Sequence, residues 1–157
     1  MKLTGWAFID TNIFNPIKFS QKKNRILCVG RLSTQKNYNF LFESIKDTNF
    51  EVDIIGHGNK SAYNLIIKNN NIKVNFLGNV PNYELPKIYN SYKLFVLCSL
   101  YEGHPKVLLE ALACGMQCIA TKVPGIKEMH NGKNFDMIEL DTSALQEKIN
   151  IILNNES

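Results

Sequence analysis

The stretch Leu94-Phe-Val-Leu-Cys98-Ser99-Leu-Tyr-Glu102-Gly-His-Pro-Lys-Val-Leu-Leu-Glu110-Ala-Leu-Ala-Cys-Gly115 decides the fold. Its first five residues are apolar at every position, as in a short strand covered on both faces. A polar loop follows, and Pro105 suits the first position of the helix that comes next. Strand, loop and helix in this order make one unit of a parallel sheet.

The same alternation runs outward from this unit. Short apolar runs at 26–29, 52–55, 74–77, 94–98 and 118–121, with a weaker one at 135–140, read as strands. Helical patterns lie between and after them at 38–46, 61–70, 83–91, 106–114 and 143–153. Phe40, Leu41, Ser44 and Ile45 form one helical stripe, and Leu145, Ile149, Ile152 and Leu153 form another. The prediction is an α/β, Rossmann-like three-layer domain with a parallel sheet between helices. Residues 1–24 are aperiodic, contain Pro16 and Lys22-Lys23, and read as a linker leading into a domain of residues 25–157. In such a sheet the ligand sits at the C-terminal ends of the strands, so the loops after the strands carry the functional information.

Composition narrows the function classes. A chain of 157 residues is one ordinary domain, and 45% hydrophobic with 20% charged residues is enough to build a core. The net charge of +4 is spread along the chain without a basic block, so nucleic acid is not an expected partner. Cys28, Cys98, Cys114 and Cys118 lie in apolar runs without metal-ligand or disulfide spacing, which reads as reduced buried thiols of a cytoplasmic protein. The stretch Met1 to Trp6 holds no apolar run long enough to read as a signal peptide, and no run reaches the length of a membrane span.

Three loops carry candidate chemistry. In the loop after 94–98, amides of Lys106 and Val107 at a helix start favour an anion such as phosphate. Glu110 is the lone carboxylate on an otherwise apolar helix, so it needs either ligand hydroxyls or a protein donor such as Lys106 one turn earlier. Glu102 lies eight residues before it, in the loop, where it is either solvated or flanks the same ligand. After the first strand, Gly30-Arg31-Leu-Ser-Thr-Gln-Lys36 has two cations that can face the strand ends. Arg is scarce in this Lys-rich chain, which hints at bidentate phosphate binding at Arg31, against the alternative of a solvated loop. Gly56-His-Gly58 lacks the third glycine of a dinucleotide fingerprint and reads as a tight turn. His57, His104 and His130 have no metal-ligand spacing, and His104 reads as a side chain beside the ligand or exposed.

Glu102-Gly-His-Pro-Lys-Val-Leu-Leu-Glu110-Ala-Leu-Ala-Cys-Gly115 resembles the EGxxxxxxEAxAxG signature of family-four glycosyltransferases. The resemblance is to the C-terminal, donor-binding half of their GT-B fold, and it covers nearly all of the chain. Asp10 to Pro16 is similar to the segment leading into that half, Gly30 to Asn37 to the phosphate loop, and Val74 to Val80 to the strand and turn at the nucleobase. Val123 to Glu128 is similar to the later glycine-and-glutamate turn. The resemblance implies that Arg31 and Lys36 neutralise the donor diphosphate, with amides after Gly103 completing the cradle beside His104. It implies that Glu110 holds the ribose, Glu102 sits by the donor sugar, and Gly78, Asn79 and Val80 meet the base.

The implied chemistry is sugar transfer from a UDP- or GDP-sugar with retention, without metal or other cofactor. Glu102, Arg31 and Lys36 would be the catalytic groups. The acceptor would be a glycan or lipid, and the acceptor-binding N-terminal domain, in cis or as a partner at the inner face of a membrane, would be required. Gln117 departs from the usual proline, Pro105 removes one cradle amide, and Phe135 replaces a common glycine. A non-catalytic nucleotide-sugar-binding module is the alternative reading, and a nicotinamide-dependent enzyme is disfavoured by the missing glycine.

Overall fold

The apolar runs become six parallel strands in the computed structural model, which describes residues 9–18 and 21–155. The expectations for Met1 to Trp6, and part of the expected linker, lie outside the described residues. In chain order the elements are β1 (Lys23–Val29), α1 (Tyr38–Ile45), β2 (Glu51–Ile55), α2 (Asn64–Asn69), β3 (Lys73–Gly78) and α3 (Leu85–Asn90). They continue with β4 (Tyr92–Leu97), α4 (Lys106–Ala113), β5 (Gln117–Thr121), α5 (Pro124–Met129), β6 (Asp136–Ile138) and α6 (Thr142–Asn154).

The sheet order is β3-β2-β1-β4-β5-β6. The chain winds one way from β1 to β3, then returns beside β1 and winds the other way. That reversal opens a crevice between the loops after β1 and β4, where open α/β sheets bind ligands.

Each face of the sheet has its own core, because successive strand residues point to opposite sides. Ile26, Val52, Ile54, Leu94, Val96 and Ile119 face α1, α2 and α6, where Leu41, Phe42, Leu145 and Ile149 cover them. Leu27, Val29, Phe95, Leu97, Cys118 and Ala120 face the other layer, with Tyr89, Leu108, Ala111 and Ile126 above them. Ile26, Leu27, Leu94, Phe95 and Ile119 are fully buried, and burying each stabilises the fold by about 1.5–3 kcal/mol. All four cysteines are free and buried.

On the second face, register places Asp53 beside Leu27 and Asn75 beside Asp53. Asp53 is buried but fully answered: Tyr92 Oη donates at 2.6 Å, Asn75 Nδ2 at 2.8 Å and Arg25 at 3.4 Å. This network ties β1, β2, β3 and β4 together, and no pattern in the chain announces it.

Three expectations are corrected. β1 starts at Lys23, inside the stretch expected as linker, because its amide donates to the Ser91 carbonyl at 2.8 Å. The helices expected at 61–70 and 83–91 are each split into a 3-10 turn, Lys60–Tyr63 or Asn82–Glu84, and a six-residue α-helix. Residues Pro124–Met129, read as a turn, form the short helix α5 with proline in its first turn.

Candidate functional site

Close backbone packing builds the crevice. The N–H of Gly56 donates to the Gly78 carbonyl, and Gly30 N–H donates to the Ile55 carbonyl at 2.8 Å. A Cβ at Gly56 would lie 2.1 Å from the Gly30 oxygen, so only glycine lets these strand exits approach. This is the structural work of the Gly56-His-Gly58 turn; Leu32 pairs with Gly58 in a short bridge beside it.

The loops after β1 and β4 are stitched together. Leu100 N–H donates to the Gln35 carbonyl at 2.8 Å, and Gln35 Nε2 donates to the Tyr101 carbonyl at 2.9 Å. Tyr38 Oη donates to the Gly30 carbonyl at 3.0 Å, which fixes the start of the first loop. From below, Thr121 Oγ1 donates to the Ser99 carbonyl at 2.6 Å.

This stitching brings Lys36 and Glu102 together, although 66 residues separate them. Lys36 Nζ lies 2.5 Å from Glu102 Oε1, and both side chains are largely buried. Ser99 Oγ donates to the same oxygen at 2.5 Å. Glu102 is therefore held rather than solvated. Its Oε2 makes no hydrogen bond among the described residues. Gly125 forms the floor under this loop: a Cβ there would lie 2.2 Å from the Gly103 oxygen and 2.3 Å from that of Glu102. Gly103 itself faces open space.

Glu110 projects from α4 and is 4% exposed. Tyr89 Oη donates to its Oε2 at 2.9 Å, and Lys106 Nζ stands 3.7 Å from its Oε1. Burial raises its pKa above the usual carboxylate value, and Tyr89 and Lys106 lower it part of the way back. Protein donors thus answer this carboxylate in part, with the Lys106 side chain, 64% exposed, on the Oε1 side.

The helix start differs from expectation. Pro105 stands one position before the first helical residue, and the Lys106 amide is taken by the His104 carbonyl at 2.8 Å. Of the two expected cradle amides, only that of Val107 has no partner among the described residues. Arg31 and His104 are exposed, and Arg31 has no ion pair among the described residues. Gly78 ends β3, and Asn79 and Val80 follow it at the same end of the sheet, on the far side of β2. Among the described residues no three His, Cys, Asp or Glu side chains cluster as metal ligands, and no helix is long and apolar enough to cross a membrane.

The sequence reading missed Ser99, Tyr89, Thr121 and Gly125. Ser99 and Gly125 stood inside quoted motifs without a role. Tyr89 lies on a helix too short to show which face it presents.

Comparison with known proteins shows the family and the fold. The family described as "Glycosyl transferases group 1" matches residues 10–157. An uncharacterised glycosyltransferase of Methanocaldococcus jannaschii is 34% identical over 134 residues, spanning 83% of this chain and 38% of that protein. A Campylobacter jejuni α-1,4-N-acetyl-D-galactosaminyltransferase, named for an undecaprenyl-diphosphate-linked glycan, is 30% identical over 92% of this chain and 45% of its own length. The crystal structure of Anabaena HepE with UDP and glucose superposes with a TM-score of 0.81 at 19% identity, over 94% of this chain and 46% of that one. The chain spans less than half the length of these proteins. With a six-stranded parallel Rossmann-like layer and a match across residues 10–157, the chain belongs to the group 1 glycosyltransferases and has the fold of their GT-B members.

Proposed function

We propose that this chain is the donor-binding half of a retaining glycosyltransferase that uses a nucleoside-diphosphate sugar. The observation that carries the reading is the Lys36–Glu102 pair at the crevice, in the loop that leads into the helix carrying the buried Glu110. Arg31 and Lys36 neutralise the diphosphate, assisted by the Val107 amide, and Glu110 accepts from ribose hydroxyls. Glu102 Oε2 meets the sugar, while Gly78, Asn79 and Val80 border the base. The uridine diphosphate in HepE and the sugar-transferase names of the curated relatives support a UDP- or GDP-sugar of the hexose type.

Chemically, the sugar's anomeric bond to the diphosphate breaks through an oxocarbenium-like state. The greatest demand on this domain is stabilising the departing diphosphate, which fixed cations and amides meet without a metal. The acceptor, a glycan or lipid at the inner face of a membrane, is held by another domain, in cis or in trans.

Calorimetry with UDP-glucose, GDP-mannose and ADP-glucose in excess chelator tests the reading. One of the three should bind, and UDP, GDP or ADP alone should bind with it. Binding that appears only on adding a divalent cation would reject the metal-free diphosphate site.

A further inference from the structure

The side chain behind Glu110 has a defined task. Tyr89 is fully buried on α3, one helix away from the carboxylate it serves. Its ring is seated by Phe14 at 6.2 Å and Phe95 at 6.0 Å between centroids. Its hydroxyl therefore has one place to be, 2.9 Å from Glu110 Oε2. Burial and the neighbouring carboxylate raise the phenol's pKa far above its ordinary value, so it stays protonated and always donates.

The two carboxylate oxygens are thereby made unequal. Oε2 is turned inward and satisfied, whereas Oε1 is left to the exposed Lys106 ammonium at 3.7 Å, beyond an ordinary hydrogen bond. A carboxylate with both oxygens free would swing between rotamers, and a hydroxyl pair on a ligand would have to fix it on binding. Tyr89 removes that cost beforehand.

We infer that Tyr89 is a positioning residue that sets discrimination between ribose and deoxyribose in the nucleotide, by locking Glu110 with Oε1 presented to the crevice. This rests on the reading of Glu110 as the ribose ligand. The test compares UDP and GDP with their 2′,3′-dideoxy counterparts by calorimetry on four proteins: the parent chain, Tyr89→Phe, Glu110→Gln and the double variant. The parent should prefer the ribose form by about tenfold or more, as for a hydrogen bond to a charged group.

Tyr89→Phe should lower that preference by about fivefold and leave the dideoxy affinity unchanged. In the double variant the preference should equal that of Glu110→Gln alone, because Tyr89 acts only through the carboxylate. Full preference in Tyr89→Phe overturns the inference, as does equal loss for ribose and dideoxy forms, the mark of a merely structural role. A parent chain without preference rejects the ribose reading of Glu110 and this inference with it. Should Tyr89→Phe not fold, Phe14→Leu loosens the ring's seat while keeping the hydroxyl. A reduced preference there supports the role, and an unchanged one overturns it.

Discussion

Burial raises the pKa of Glu110, so folding and ligand binding ask opposite things of this residue. Because the folded state holds the proton more tightly, ionising Glu110 costs stability as pH rises from the ordinary carboxylate value through the raised one. The penalty is complete above the raised value and vanishes well below the ordinary one. Glu110→Gln keeps an acceptor for Tyr89 and removes the charge. The ligand-free variant should therefore melt at a higher temperature than the parent at neutral pH, and the gain should fade as pH drops below the ordinary carboxylate value. Thermal melts of both proteins across that range read the difference directly. The same change should weaken UDP-sugar and free UDP alike, since both contain ribose. Glu102→Gln belongs beside it. Its proposed contact is the sugar, and it releases Lys36 from a 2.5 Å pair, so free UDP should bind within about twofold of the parent while the sugar nucleotide weakens about tenfold. Identical profiles for the two variants would remove the division of labour between these carboxylates.

Elements differ in how much of themselves they write into the sequence. The central strands were legible because both faces are covered, so 26–29 and 94–98 are apolar throughout. Even so, β1 begins three residues before that apolar run, at exposed Lys23, where the ladder is set by the Ser91 carbonyl and not by hydrophobicity. α5 entered only as a segment similar to a glycine-and-glutamate turn, because six helical residues are too few for a period. Its signal is steric and long-range: Gly125 lets the helix start press against the Glu102–Gly103 backbone, and no pattern within 123–129 reports that neighbour. Glu110 stood out as a lone carboxylate on an apolar helix and Glu102 only through the motif, whereas the hydroxyls of Ser99, Tyr89 and Thr121 that aim them did not. The contact at Gly125 yields a prediction about the element. Gly125→Ala must displace the loop or α5, costing about 1–3 kcal/mol as overpacking does, and should weaken sugar-nucleotide binding through Glu102. Gly103→Ala, which meets open space, should leave Tm unchanged. Chemical denaturation of the two variants makes the comparison. Equal stability for both would mean that α5 is not the floor of the site.

At the scale of the whole molecule, the crevice lies open along the strand ends, with Tyr101 and Tyr83 exposed near it. The chain spans 38% and 45% of the length of two curated relatives. Transfer needs an acceptor hydroxyl held about 3–3.5 Å from the anomeric carbon, and a misplaced nucleophile forfeits most of the rate advantage. On the proposed assignment Lys36 and Arg31 take the diphosphate, Glu110 the ribose and Glu102 the sugar, which leaves none of them for that hydroxyl. By itself, then, this 157-residue chain should bind donor but transfer sugar to no glycan or lipid acceptor at a useful rate. Slow hydrolysis of the donor should persist, because water needs no positioning domain and the cations still stabilise the leaving diphosphate. Supplying an acceptor-binding domain, fused upstream or added as a separate protein, should raise transfer by orders of magnitude while leaving the donor Kd within a few fold. Radiolabelled sugar incorporation, measured beside calorimetric donor affinity, separates the two quantities. Efficient transfer by the chain alone would show that an acceptor site lies within these residues and would end the half-enzyme reading.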